Sequence, residues 1–129
     1  MEKETIFGEV VGKANNYIVV PDKKCGEGRL VKNEKIRAYE KSFINQCKVY
    51  KDRLINGMFK LYADVYYVHG GYDLDNSLKT ILDCLQYCKA ITNDKLCVSI
   101  IANKHIDRRN PRVTFWIEEL EPNIKLFEQ

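Results

Sequence analysis

Asp73 and Asp75 stand two residues apart, just after the Gly70-Gly71 break. In an extended chain, residues at that spacing project to the same side. Two carboxylates so placed repel each other, and a divalent cation removes that cost; Mg2+ favours such oxygen ligands. A helix expected to begin near Asp75 or Asn76 adds the positive partial charge of its N-terminus, which favours carboxylates or a phosphate. Lys79 follows Asp75 by four residues on the same helical face, within reach of the same site as a cation for a phosphate or a leaving group. Asp83, four further on, is placed to hold Lys79. The same residues admit a purely structural reading, in which Asp75 caps the helix and Asp75, Lys79 and Asp83 form an exposed ion-pair stripe.

The elements that must position these groups are legible in part. Residues 5–11 read as a first strand and Tyr17 to Val20 as β-prone, with a turn at Pro21-Asp22 and a flexible loop at Gly26 and Gly28. Asn33 is suited to cap a helix, and Ile36, Tyr39, Phe43, Cys47 and Tyr50 recur at intervals of three and four, which extends that helix to about Leu54. Residues 58–68 are dense in aromatic and β-branched types and predict the strongest strand. Leu78, Ile81, Leu82 and Leu85 give the second helix its buried stripe, ending near Lys89. Residues 95–103 and 112–118 read as two further strands. The order β-β-α-β-α-β-β predicts an α/β (α+β) fold: one small domain over residues 1–129, with a mixed sheet packed by two helices.

Composition sets bounds. The 129 residues suit one domain. No run of about 18 apolar residues occurs, so no membrane span is expected, and the charged N-terminus lacks the apolar core of a signal peptide; the expected location is cytoplasmic. Five cysteines, an odd number, argue against a disulfide framework. Cys84 and Cys88, one helical turn apart, read as buried small residues rather than half of a metal site, since no second half-site accompanies them. A net charge of +3 is too mild to prove a nucleic-acid partner. Two basic stretches are more informative: one from Lys23 to Lys41, the other containing Lys104, His105, Arg108, Arg109 and Arg112. His69 and His105 lack a shared motif and read as loop or surface residues, and Trp116 as core or dimer interface. Abundant Lys, Asn, Ile and Tyr point to an A+T-rich bacterial or prophage source.

The run DLDN at 73–76, with Lys79, Asp83 and Leu85 at fixed spacing and Asn93-Asp94 about ten residues later, resembles the signature of the RusA family of Holliday junction resolvases. Lys13 to Tyr17 (KANNY) is similar to that family's asparagine-rich segment. The resemblance implies a small homodimeric endonuclease that depends on Mg2+, with Mn2+ as a substitute, and needs no small-molecule cofactor. Its implied substrate is branched DNA, cut symmetrically at four-way junctions in recombination and repair. It implies Asp73, Asp75 and Asp94 as catalytic metal ligands, Lys79 as the catalytic helper cation, and Asn76 and Asp83 as supporting residues. Asn15, Asn16, Tyr17, Lys104, Arg108 and Arg109 are expected to touch DNA. Two departures stand out. Only His69 occupies the stretch before DLDN where the family often carries Arg or Lys, and Asn93 replaces an acid beside Asp94.

One geometric tension follows. About 13 helical residues would separate Asp75 from Lys89, roughly 20 Å, and the five residues from there to Asp94 span at most about 17 Å. Either the helix is shorter, or Asp94 comes from the partner subunit of a two-fold dimer. Three other readings remain open: a less selective Mg2+-dependent nuclease for branched DNA, a junction-binding dimer without cleavage, and a DLDN segment that merely caps a helix.

Overall fold

Nine residues of strict alternation build the centre of the molecule. In the computed structural model, which describes residues 2–12, 17–21 and 28–121, strand β4 (Phe59–Tyr67) buries Phe59, Leu61, Ala63, Val65 and Tyr67 and leaves Lys60, Tyr62, Asp64 and Tyr66 half-buried on the other face. Around it lie β1 (Glu4–Phe7), β5 (Cys97–Ile106) and β6 (Arg112–Glu119) in the order β1-β6-β4-β5. β4 runs parallel to β5 and antiparallel to β6, and β1 runs antiparallel to β6. The parallel pair needs a crossover, which helix α2 (Leu74–Tyr87) supplies.

Helix α1 (Glu34–Gln46) opens as its sequence predicts: the Asn33 side chain accepts the Ile36 amide at 3.0 Å. Ile36, Tyr39 and Phe43 of α1 and Ile81, Cys84 and Leu85 of α2 enter one core cluster with Phe59, Leu61, Val65, Val113 and Phe115. Phe43 stacks on Phe115 with centroids 5.8 Å apart. Cys84 and Cys88 are buried in that core and Cys47 joins them, as their reading as small apolar residues requires.

The mixed sheet packed by two helices matches the expected class, but four details differ. The glycine-containing stretch expected as a loop includes a strand, β3 (Gly28–Lys32), which pairs antiparallel with β2 (Tyr17–Pro21) in a separate two-stranded sheet. The order is therefore β-β-β-α-β-α-β-β. The first strand ends at Phe7, because Gly8 takes φ +107° and turns the chain out of the sheet. Residues 9–12 then cross α2, where Thr80 Oγ1 donates to the Val11 carbonyl at 2.8 Å.

The third difference is that α1 stops at Gln46, although its apolar period continues to Tyr50. The buried Glu4 carboxylate captures the amides of Lys48, Val49 and Tyr50 at 3.1, 2.7 and 3.2 Å on one oxygen. Those amides would otherwise continue the helix, so a contact from β1 overrides the local pattern. Lastly, α2 begins at Leu74 and ends at Tyr87, earlier at both ends than expected. Its stop is marked by Lys89 at φ 63°.

Candidate active site at the start of the second helix

Asp73 occupies the N-cap of α2, where an aspartate ordinarily accepts an amide from the first turn. Here its side chain makes no capping hydrogen bond and is exposed; Asp75, in the first turn, is exposed as well. The helix end is held by backbone and serine instead. The Ser77 amide and hydroxyl donate to the Asp73 carbonyl at 3.3 and 3.2 Å, and the Tyr67 hydroxyl donates to Ser77 Oγ at 2.6 Å. The structural reading in which Asp75 caps the helix is therefore not met, since Asp75 lies within the first turn. Lys79 is exposed on the same helix and forms no ion pair with Asp75 or Asp83 among the described residues.

The loop before Asp73 is braced from three directions. The Val68 amide donates to Glu9 Oε2 at 2.9 Å, and the Tyr72 hydroxyl bonds to Glu9, which raises that hydroxyl above its ordinary pKa. The Tyr72 ring stacks on Tyr67 at 5.2 Å and on His69 at 4.7 Å. Lys104 donates to the carbonyls of Gly70 and Tyr72 at 2.8 and 2.6 Å. Lys104, expected to touch DNA, is exposed and engages two of its donors on these backbone oxygens.

A cavity of about 280 Å³ opens beside Asp73, lined among others by Glu9, Gly12, Lys35, Tyr72 and Asn76. Gly12 lies close against Asn76: a Cβ on it would come within 2.5 Å of the Asn76 amide nitrogen and displace that side chain. Asn76 thus packs against Gly12 at the wall of the cavity. Glu9 had no motif to mark it as a neighbour of Asp73, because only the crossing of residues 9–12 over α2 brings the two segments together.

The basic turn lies at the same end. Tyr67 pairs with Ile106 at the close of the parallel strands, and the Asp107 amide donates to the Tyr67 carbonyl at 2.8 Å. Asp107 shapes the turn by accepting the amides of Arg109 and Asn110, both at 3.2 Å, and an Arg112 guanidinium N–H at 2.9 Å. The hydrogen bond from Arg112 holds the Asp107 carboxyl below its usual pKa. Arg108 and Arg109 are left exposed in this turn. Asn15 and Asn16 lie outside the described residues, and of Tyr17 only the backbone is described, in β2.

Asp94 is elsewhere. It opens a short 3-10 turn (Asp94–Leu96), and its amide donates to Gln86 Oε1 at 3.0 Å, in the last turn of α2. The 14 residues of α2 span about 21 Å. The sheet gives a second ruler: Asp94 precedes Cys97, which pairs with Phe59, whereas Asp73 follows the far end of the nine-residue β4, about 30 Å along the strand. Shortening α2 did not bring Asp94 to Asp73 within one chain. Among the described residues, no three His, Cys, Asp or Glu side chains are grouped to hold one ion. Within a chain the site offers Asp73 and Asp75, two exposed hard oxygen donors that suit part of the shell of a Mg2+ ion.

No helix of the described residues is long and apolar enough to cross a membrane. No curated protein matches the sequence. A family profile described as Endodeoxyribonuclease RusA matches residues 8–118, a stretch that runs from the turn at Gly8 through both helices and into β6. The acidic pair, the braced loop and the basic turn all fall within it, and the chain belongs to the RusA endodeoxyribonuclease family.

Proposed function

We propose that this protein is a homodimeric, Mg2+-dependent endonuclease that hydrolyses phosphodiesters at four-way DNA junctions. The observation that carries this reading is the state of Asp73. An N-cap carboxylate that makes no capping hydrogen bond, exposed two residues from a second exposed carboxylate, leaves two hard oxygen donors open to a divalent cation. Membership of the family supports DNA as the substrate, and exposed Arg108 and Arg109 at the same end supply phosphate contacts. Acting on cellular DNA, the enzyme works in the cytoplasm, and residues 1–129 form a single catalytic domain.

Asp73 and Asp75 would hold the ion, which when bound would supply Lewis-acid polarisation of the phosphoryl group and activation of water. Mn2+ serves in its place. Lys79, one helical turn beyond Asp75, offsets the charge that develops as water attacks phosphorus and the bridging P–O bond breaks. Asn76 supports the pair from its packed position against Gly12. Asp94 completes the ligand set from the partner subunit. The separation of the two ends of α2 supports this assignment, and a two-fold dimer with two shared sites suits two equivalent strands of a junction.

The deciding experiment mixes subunits. Asp75→Asn and Asp94→Asn are each inactive as homodimers. In a mixed dimer, shared sites give one doubly altered centre and one intact centre, so mixing restores nicking of a synthetic four-way junction. Sites confined to single chains leave both centres altered and restore nothing, which would rule out the shared assignment. A second reading, a less selective nuclease for branched DNA, is favoured by the segment before Asp73, which carries only His69 and no Arg or Lys. Equal cutting of linear duplex and junction by the wild type selects it.

A further inference from the structure

Lys104 sits on the edge strand β5, opposite Val65 in the parallel register. Alternation therefore turns it to the helix-covered face, while the next residue, His105, stacks on Tyr66 on the open face. The Lys104 stem carries its ammonium past the Tyr67 ring, 5.8 Å from the centroid, up to the carbonyls of Gly70 and Tyr72. Two of its three donors are engaged there. The carbonyls flank Gly71, in a stretch where Gly70 and Gly71 have no side chains to anchor the backbone and the greatest conformational freedom to lose. Tyr72 is joined directly to Asp73, so whatever fixes the Tyr72 carbonyl fixes the peptide plane from which the Asp73 carboxylate projects. Glu9 holds the opposite flank through Val68 and Tyr72.

We propose that Lys104 is a positioning residue for Asp73: it clamps the Gly70–Tyr72 backbone and does not serve as a phosphate contact. The proposal rests on the reading of Asp73 as part of the cleavage site. It assigns to Lys104 a role in the rate of the chemical step and leaves DNA affinity to exposed cations such as Arg108 and Arg109.

The test compares Lys104→Met, which keeps a stem over Tyr67 and removes the donors, with Lys104→Arg, which keeps donors. Three quantities are measured: single-turnover nicking of a four-way junction at saturating Mg2+, junction affinity without divalent metal, and amide hydrogen exchange across residues 70–73 in free protein. Lys104→Met is expected to slow nicking by about tenfold to a hundredfold, with affinity within about twofold of wild type and faster exchange at 70–73. Lys104→Arg recovers much of the rate. Arg108→Ala, by contrast, weakens affinity. An unchanged saturating rate with weakened affinity in Lys104→Met would make Lys104 a phosphate contact and overturn the proposal. If wild-type protein does not nick junctions in Mg2+ or Mn2+, the reading of the site fails separately. Exchange then decides on Lys104 by itself: faster exchange in Lys104→Met upholds the clamp, and unchanged exchange refutes it.

Discussion

The two ends of helix α2 are built on opposite principles. At the C-terminal end nearly everything is satisfied. Cys88 is buried and its Sγ lies 3.8 Å from that of Cys47. The amides of Asp52, Leu54 and Ile55 donate to the carbonyls of Cys88, Lys89 and Ala90, and Ile55 and Ile91 bridge in parallel. Below them Glu4 gathers three amides on one oxygen. At the N-terminal end, Asp73 and Asp75 are exposed two residues apart, and the N-cap side chain makes no capping hydrogen bond. This end is held in place by the neighbouring contacts of Tyr67, Ser77, Glu9 and Lys104. The contrast teaches that one end of the helix anchors the fold and the other presents charge. Asp94 belongs to the anchored end yet is itself exposed.

The largest expected effect breaks the contrast where it is sharpest. Asp75→Asn and Asp94→Asn should each lower junction nicking by on the order of 10^3-fold or more, although they sit at opposite ends of α2, while junction binding persists. Retention by Asp94→Asn of a rate within about tenfold of wild type would confine catalysis to the N-terminal end. Next comes the anchored end: Glu4→Ala strands three inward-facing amides and should cost about 3 kcal/mol of folding stability, read from denaturant unfolding. A loss near zero would mean that the turn after α1 is held by packing alone. A smaller effect is expected for Tyr67→Phe, which removes the hydroxyl that reaches Asp73 through Ser77; about 1 kcal/mol should be lost, with slower nicking because the helix start is less firmly placed. Smallest of all, Asp73→Asn should leave metal-free stability within about 0.5 kcal/mol of wild type, or raise it slightly by relieving repulsion with Asp75. A large destabilisation by Asp73→Asn would show that this end is structural after all.

Much of the fold was legible because its cues are local. The alternation of residues 59–67 and the spacing of Leu78, Ile81, Leu82 and Leu85 describe one buried face each, and Asn33 caps the helix that follows it. The limits of elements were less legible. The helix predicted to reach Leu54 ends at Gln46 because Glu4, more than 40 residues earlier in the chain, competes for its amides. Strand β3 was missed because a short basic segment gains strand character only from its partner β2. The hydrogen bonds of Lys104 were illegible for a related reason: nothing in a basic stretch signals that one lysine reaches the carbonyls of a distant loop.

By itself, the sequence determined which groups are present at fixed local spacing: the Asp73–Asp75 pair, Lys79 one turn on, and an apolar period on each side of the crossover. These follow from strand and helix geometry, which act over a few residues. Tertiary structure alone decided what those groups face. It laid residues 9–12 across α2 and so brought Glu9 and Gly12 to Asp73 and Asn76, turned Lys104 toward the loop, and set Asp94 a helix length from the acidic pair. Burial and backbone hydrogen bonding between distant segments choose those placements, and no spacing along the chain encodes them.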